Sequence, residues 1–425
     1  MYFYGGIGMK KNKKSFVESL PEGWDFDRLA RLFYILVICL CGMLMRNTML
    51  PHTSRDMTNF LEKWYDYFAE HGGFKAVGDD VGDYTPLYYY YIAFLTYFKS
   101  SSPQLGVKIL SIIFDFLTAF YVMRIVELKE KDSHLPLIAF AIVFCLPTVA
   151  LNSAYWGQCD VIYSCFLIMC LYYLMKGRDR TAMIMFGVSF ALKLQAVFFA
   201  PLIGILLFKK KIKPVNLLWI PAVYVISIIP ALIVGGDPIR LLLLYFNQSA
   251  QYSDLCMSLP NLWALLEGSG GETKDELINM GTSGVYFAGA AVATVMYYYI
   301  TRKTLKITQN TLVGLAMISS FIVPFVLPHM HERYFYLSEV MFVVFAFYYR
   351  KRLWLILSSQ YCSVQAYTGY LFGKWMIDGR YLLIIEIINI VTVYLCLREE
   401  MAKPRDDKEI LMKWENAETA PAAAG

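Results

Sequence analysis

Apolar residues in this chain come in long runs, at 32–50, 104–125, 135–151, 160–175, 181–192, 195–208, 214–235, 281–301, 311–327, 334–349, 353–371 and 381–397. A helix needs about twenty apolar residues to cross a hydrocarbon core about 30 Å thick. The runs predict an all-α polytopic membrane protein with about 12 transmembrane helices. One shorter piece, Pro86 to Phe98, has thirteen residues and reads as an interfacial or re-entrant helix. Ahead of it, Met57, Phe60, Leu61, Trp64, Tyr65 and Phe68 recur at helical spacing, with Glu62, Lys63, Asp66 and Glu70 off the stripe. This predicts an amphipathic juxtamembrane helix lying on the outer leaflet.

Composition agrees. The 425 residues are 57% hydrophobic and 17% charged, against about 45–50% and about 25% in soluble domains. A soluble enzyme, a disordered protein and a nucleic-acid-binding domain are excluded. The net charge of +5 has a topological origin. Connections 176–180, 209–213, 302–306 and 350–352 hold thirteen Lys or Arg in eighteen residues. The long loops 51–85 and 236–280 hold five, together with thirteen carboxylates. Lys and Arg in short loops mark the cytoplasmic side, so the long loops and their chemistry are expected outside, with both termini in the cytoplasm. A thirteen-residue span at Pro86–Phe98 would break that parity. Seven of the nine cysteines sit in apolar runs as small hydrophobes, and no CxxC or zinc spacing is present. The N-terminus does not read as a cleavable signal, and Ala417–Gly425 reads as disordered.

With this topology, five separate segments bring polar residues to one membrane face. They are Arg55 and Asp56; Asp83 and Tyr84; Asn152 to Asp160, with Trp156 and Gln158; Lys193 and Gln195; and His331, Glu332 and Arg333, while Asn261 and Trp263 follow in the second long loop. Each also has a plain structural reading. Asp56 fits the last position of a Thr53-x-x-Asp capping box, and a catalytic role can coexist with it. Asp160 fits a helix cap, and Asp79, Asp80 and Asp83 fit a solvated acidic turn. Lys193 interrupts a membrane hairpin, where an ionisable group points to function. Lys108 and Asp115, seven apart on one helix, read as a structural contact. His329 and His331 do not form the zinc-protease helix motif, and no metal or other cofactor is expected. A carboxylate base, several cations and an aromatic belt suit a substrate made of lipid, phosphate and sugar. The carboxylate would take a proton from an acceptor hydroxyl, and a fixed cation would stabilise the leaving phosphate. A single base suggests direct displacement with inversion, since the two-carboxylate retaining arrangement is not visible.

Together, Arg55-Asp56, Asp83-Tyr84-Thr85-Pro86-Leu87, Asn152 to Asp160, Lys193-Leu194-Gln195 and His331-Glu332-Arg333-Tyr334 resemble the GT-C superfamily of polyprenyl-phosphate-sugar glycosyltransferases. More narrowly, they resemble bacterial proteins related to the second mannosyltransferase of GPI-anchor synthesis. The resemblance spans roughly residues 30–340. It implies an extracytoplasmic active site, Asp56 as general base, and a lipid-linked monosaccharide donor. It further implies that His331, Arg333, Lys193 and Arg55 attend the donor phosphate. Asp83, Tyr84, Trp156, Gln158, Asp160, Gln195, Glu332, Asn261 and Trp263 would bind the substrates. The expected organisation is a cytoplasmic segment (1–31), a catalytic module (32–350) with outer loops 51–103 and 236–280, C-terminal transmembrane helices (351–398) and a cytoplasmic tail (399–425). The expected setting is the bacterial plasma membrane with a cell-envelope glycan, lipid or protein as acceptor. A transporter or flippase of a lipid-linked saccharide is the rival reading. Such a carrier should gather ionisable groups near the bilayer midplane.

Overall fold

The computed structural model describes residues 26–98, 102–131, 133–248, 254–266, 274–374 and 376–404; the remainder, including Ala417–Gly425, lies outside the described residues. Sixteen α-helices follow in order among them. They are α1 (Phe26–Asn47), α2 (Glu62–Glu70), α3 (Pro86–Leu95), α4 (Pro103–Glu127), α5 (Leu135–Cys145), α6 (Pro147–Ala150), α7 (Asp160–Met175) and α8 (Asp179–Leu192). Then come α9 (Ala200–Phe208), α10 (Trp219–Ile233), α11 (Pro238–Gln248), α12 (Lys274–Thr301), α13 (Gln309–Val326), α14 (Tyr336–Tyr348), α15 (Trp354–Phe372) and α16 (Gly379–Ala402).

The chain is an all-α polytopic membrane protein, and every one of the twelve apolar runs is helical. Six helical stretches among the described residues are long and apolar enough to cross a membrane: Leu29–Asn47, Pro103–Glu127, Pro214–Ile233, Glu276–Thr301, Gln309–Val326 and Gly379–Ala402. A seventh candidate, Leu135–Cys145 with Pro147–Trp156, is bent by 47°. The bend falls at Leu146, which is held out of the helical region (ψ 133°) because it precedes a proline. Helices α8 and α14, with 14 and 13 residues, rise only about 21 and 20 Å. Twelve helical runs are therefore not twelve full-length spans.

Helices α13 and α14 are buried along nearly their whole length and pack on each other, on α7 and on α15 and α16. Helices α1, α10 and α12 form the edge and expose Leu36, Leu40, Ile226, Ile233, Tyr286 and Phe287, as a lipid-facing surface does. The ten-residue α3 starts at Pro86 after an extended Thr85 and reaches about 15 Å, half a bilayer core, as expected of a re-entrant piece.

Three local features differ from expectation. The amphipathic stripe begins as a π-helical turn, Met57–Leu61, and continues into α2. Met57, Leu61, Trp64 and Phe68 are buried, with Trp64 5.1 and 5.3 Å from the Tyr84 and Tyr89 rings and Phe68 5.7 Å from Tyr89. The stripe thus docks on protein, because α3 offers an aromatic face that buries it. Lys108 and Asp115 do not pair. The Lys108 ammonium donates to the carbonyls of Leu50 (3.1 Å) and His52 (2.5 Å), just beyond the end of α1. Asp115 instead accepts from Arg46 Nη2 (2.8 Å), Arg46 Nε (3.1 Å) and Ser153 Oγ (2.6 Å). Finally, a two-residue parallel ladder joins β1 (Cys256–Met257) to β2 (Met330–His331), with Met257 opposite His331. It fastens the second long loop to the His-Glu-Arg string.

Candidate active site

The first long loop presents Asp56 one residue before the π-helical turn. The expected capping box is not formed: Thr53 Oγ1 donates to Gln104, and Ser54 Oγ takes the cap by accepting from the Met57 amide (3.2 Å). Ser54 also donates to the Trp156 carbonyl (2.7 Å), which ties this loop to the turn Leu151–Trp156. The Asp56 carboxylate is free of capping and receives three side-chain donors instead. Trp156 Nε1 (2.9 Å) and Gln158 Nε2 donate to Oδ2, and Tyr370 OH (2.7 Å) donates to Oδ1. Oδ1 keeps a lone pair, so the group is fixed in orientation and still able to accept a proton.

Between the two Oδ2 donors lies Gly157, left-handed at φ 81°. Only glycine adopts this region without cost. The reversal lets the Gln158 amide close on the Asn152 carbonyl (2.9 Å) while the side chains on either side of Gly157 reach one carboxylate oxygen.

Lys193 and Arg333 form a second polar group around Asp160. Lys193 Nζ lies 2.6 Å from Asp160 Oδ1, Arg333 Nε 3.5 Å from Oδ2, and Asn152 Nδ2 donates to Oδ2 at 3.1 Å. Asp160 is fully buried, and Cys159, not Asp160, holds the cap position of α7. Arg333 Nη1 pairs with Glu332 (2.7 Å), and its guanidinium stands 5.2 Å from the Trp156 ring. Lys193 is ringed by Tyr84, Tyr163 and Tyr334 at 5.7–6.0 Å, a cation–π setting that favours the charged amine. Burial, and then the Arg333 charge, hold the His331 imidazole below its ordinary value, so it is neutral at pH 7. Burial likewise keeps the Tyr84 phenol protonated.

These groups line a cavity of about 680 Å³, within the range of small-molecule sites. Of the residues picked from sequence, it brings together Asp56, Asp83, Tyr84, Gln158, Lys193, Gln195, His331, Glu332 and Arg333. Trp156 and Asp160 are not in the lining themselves but touch groups that are, Trp156 the Asp56 carboxylate and Asp160 the two cations.

Three further residues picked from sequence do not line the cavity. Arg55 is exposed and is not part of the lining. Asn261 donates to the carbonyls of Pro324 and Leu327, and Trp263 Nε1 to that of Val326 (2.8 Å). Both therefore satisfy the carbonyls at the end of α13, which a helix terminus leaves without partners. Sequence reading missed Tyr370, from the 351–398 segment, along with Met257 and Ser258. The signal for Tyr370 was present: Tyr367 and Tyr370 share one helix face at the end of a run placed on the Asp56 side. Among the described residues no three His, Cys, Asp or Glu side chains gather to hold a metal ion.

No curated protein matches the chain. The sequence model of glycosyltransferase family 87 matches residues 83–328, more than half of the length. The matched region carries Asp83, Tyr84, Trp156 to Asp160, Lys193 and Gln195, whereas Asp56, His331 to Arg333 and Tyr370 join it only through the fold. Family membership favours group transfer over the transport reading. The chain belongs to glycosyltransferase family 87, a GT-C type family, and is a multi-pass membrane glycosyltransferase.

Proposed function

We propose that this protein takes a hexose, mannose or a relative, from a polyprenyl-phosphate donor and passes it with inversion to an acceptor hydroxyl. The acceptor is a cell-envelope glycan, lipid or protein, and the site faces the extracytoplasmic side of a bacterial plasma membrane. The carrying observation is the cavity itself, lined both by the triply held Asp56 and by Lys193 and Arg333, the two cations that share the buried Asp160. In the reaction, Asp56 removes the proton of the acceptor hydroxyl as that oxygen bonds to the anomeric carbon. The bond from that carbon to the phosphate oxygen breaks, and the lipid phosphate leaves with the electron pair. Arg333 and Lys193 stabilise the charge that grows there, in a water-poor setting where fixed cations act most strongly.

Inversion is supported by the state of the neighbouring carboxylates. Of the carboxylates nearest the two cations, Asp160 and Glu332 are engaged in ion pairs, which disfavours either as the nucleophile of a covalent intermediate; Asp83 and Asp254 also line the cavity. The aromatic side chains Phe60, Trp64, Tyr84 and Tyr88 in the lining suit a sugar face or an isoprenoid chain. The side of the membrane rests on the Lys and Arg bias of the short loops. No metal is part of the proposal.

The test is a donor screen with purified protein in nanodiscs. Polyprenyl-phosphate and nucleotide sugars are each supplied with cell-envelope extract, and sugar loss is followed by mass spectrometry. Consumption of one polyprenyl-phosphate sugar is expected, with Asp56→Asn lowering turnover by about 10²–10⁴-fold while lipid binding persists. Consumption of a nucleotide sugar alone, or full activity in Asp56→Asn, would overturn the reading.

A further inference from the structure

Lys193 and Arg333 come from segments 140 residues apart, and both are drawn to a carboxylate that never touches the cavity. Lys193 occupies an extended break (φ −156°, ψ 138°) between α8 and the 3₁₀ turn Leu194–Phe199. Arg333 sits in the loop between β2 and α14. Both line the cavity, whereas Asp160 is fully buried beneath them. Its two oxygens are divided between the cations, Oδ1 to Lys193 at 2.6 Å and Oδ2 to Arg333 at 3.5 Å. Asn152 donates to Oδ2 and fixes the plane of the carboxylate.

We propose that Asp160 is a positioning residue, which assembles Lys193 and Arg333 into one cationic pair presented to the phosphate of the lipid substrate. The physical need is plain. Two cations placed side by side in a buried wall repel each other, and an uncompensated buried lysine sheds its proton. A carboxylate between them holds both charged and in place before any ligand arrives. Arg333 has a second anchor in Glu332 (2.7 Å), so Asp160 matters most for Lys193. The phosphate assignment rests on the donor reading above; the pairing itself rests on the geometry.

The experiment is a double-mutant cycle on the affinity for undecaprenyl phosphate, the leaving group. It is measured by native mass spectrometry on the full-length protein in nanodiscs. Asp160→Asn and Lys193→Met should each weaken binding at least tenfold. The double variant should lie within threefold of the weaker single, because residues acting as one unit are non-additive. With a donor in hand, Asp160→Asn should raise the donor KM and leave the acceptor KM unchanged, a split that general loosening would not produce. Losses that multiply in the double variant, or unchanged affinity in Asp160→Asn, would overturn the proposal. Should Asp160→Asn fail to fold, Lys193→Met and the charge-balanced double variant still decide it. Equal affinities support the pairing, and a further tenfold loss in the double refutes it. Wild-type protein that binds no lipid phosphate would sink the donor reading as well, an outcome distinct from a failed cycle.

Discussion

Gly157→Ala tests whether the geometry around Asp56 depends on one backbone reversal. At φ 81° a Cβ costs about 1–2 kcal/mol. The added methyl would also lie 2.6 Å from Met57 Cε, but that atom ends a flexible side chain and can move aside. Backbone strain is therefore the larger effect. The chain relieves it by turning the peptide out of the left-handed region, and this withdraws the Gln158 or Trp156 donor from Asp56. A hydrogen bond to a charged group contributes about 1.5–3 kcal/mol, so losing one should slow turnover by roughly ten- to a hundredfold. The unfolding midpoint in detergent should fall by only a few degrees, as about 1–2 kcal/mol implies for a large domain. The assay pairs steady-state turnover with thermal unfolding, for Gly157→Ala and for Gly157→Ala combined with Met57→Ala. The second change removes the clash and leaves the strain, so it should restore little activity. Wild-type turnover in the single variant, or full recovery in the double, would refute the reasoning.

Other consequences follow from the same contacts. Tyr370→Phe removes the donor to Asp56 Oδ1. Because Tyr370 is 37% exposed and water replaces part of the bond, turnover should drop by about tenfold, and unchanged kinetics would remove Tyr370 from the site. Breaking the buried Arg46–Asp115 pair by Asp115→Leu should destabilise the fold by about 3–5 kcal/mol, while adding Arg46→Met should return most of it. Denaturation in detergent measures both, and equal losses in the single and double variants would contradict the pairing. His331 is held below its ordinary value by burial and then by Arg333. Below about pH 6.5 the unfolded chain therefore binds a proton that the folded chain resists, and stability falls with falling pH until the folded imidazole also titrates. Above about pH 6.5 this contribution is flat. Unfolding midpoints between pH 5 and 7.5 should show that slope for wild type relative to His331→Gln, and parallel curves would argue against it.

The family match ends at Pro328 and starts at Asp83, yet the candidate cavity is also lined by Asp56, Arg333 and Tyr370. Long-range contacts are responsible. The Ser54–Trp156 bond and the β1–β2 ladder tie the flanking segments to the matched core, so the cavity does not coincide with the most recognisable stretch of chain.

Sequence by itself determined the membrane class and the twelve helical runs, since both follow from local apolarity and helix length. It also determined most of the cavity's polar residues, because charge in an apolar chain is rare enough to stand out. Partner choice was decided only by tertiary structure. Asp115 joins Arg46 instead of Lys108, and Asp160 binds cations instead of capping a helix. Asn261 and Trp263 serve the end of α13 instead of a substrate. Tyr370 entered the site without any charge to announce it. The physical reason is common to all of these. Periodicity and composition set which face of an element is apolar, whereas a buried hydrogen bond depends on which distant segment packing brings within about 3 Å.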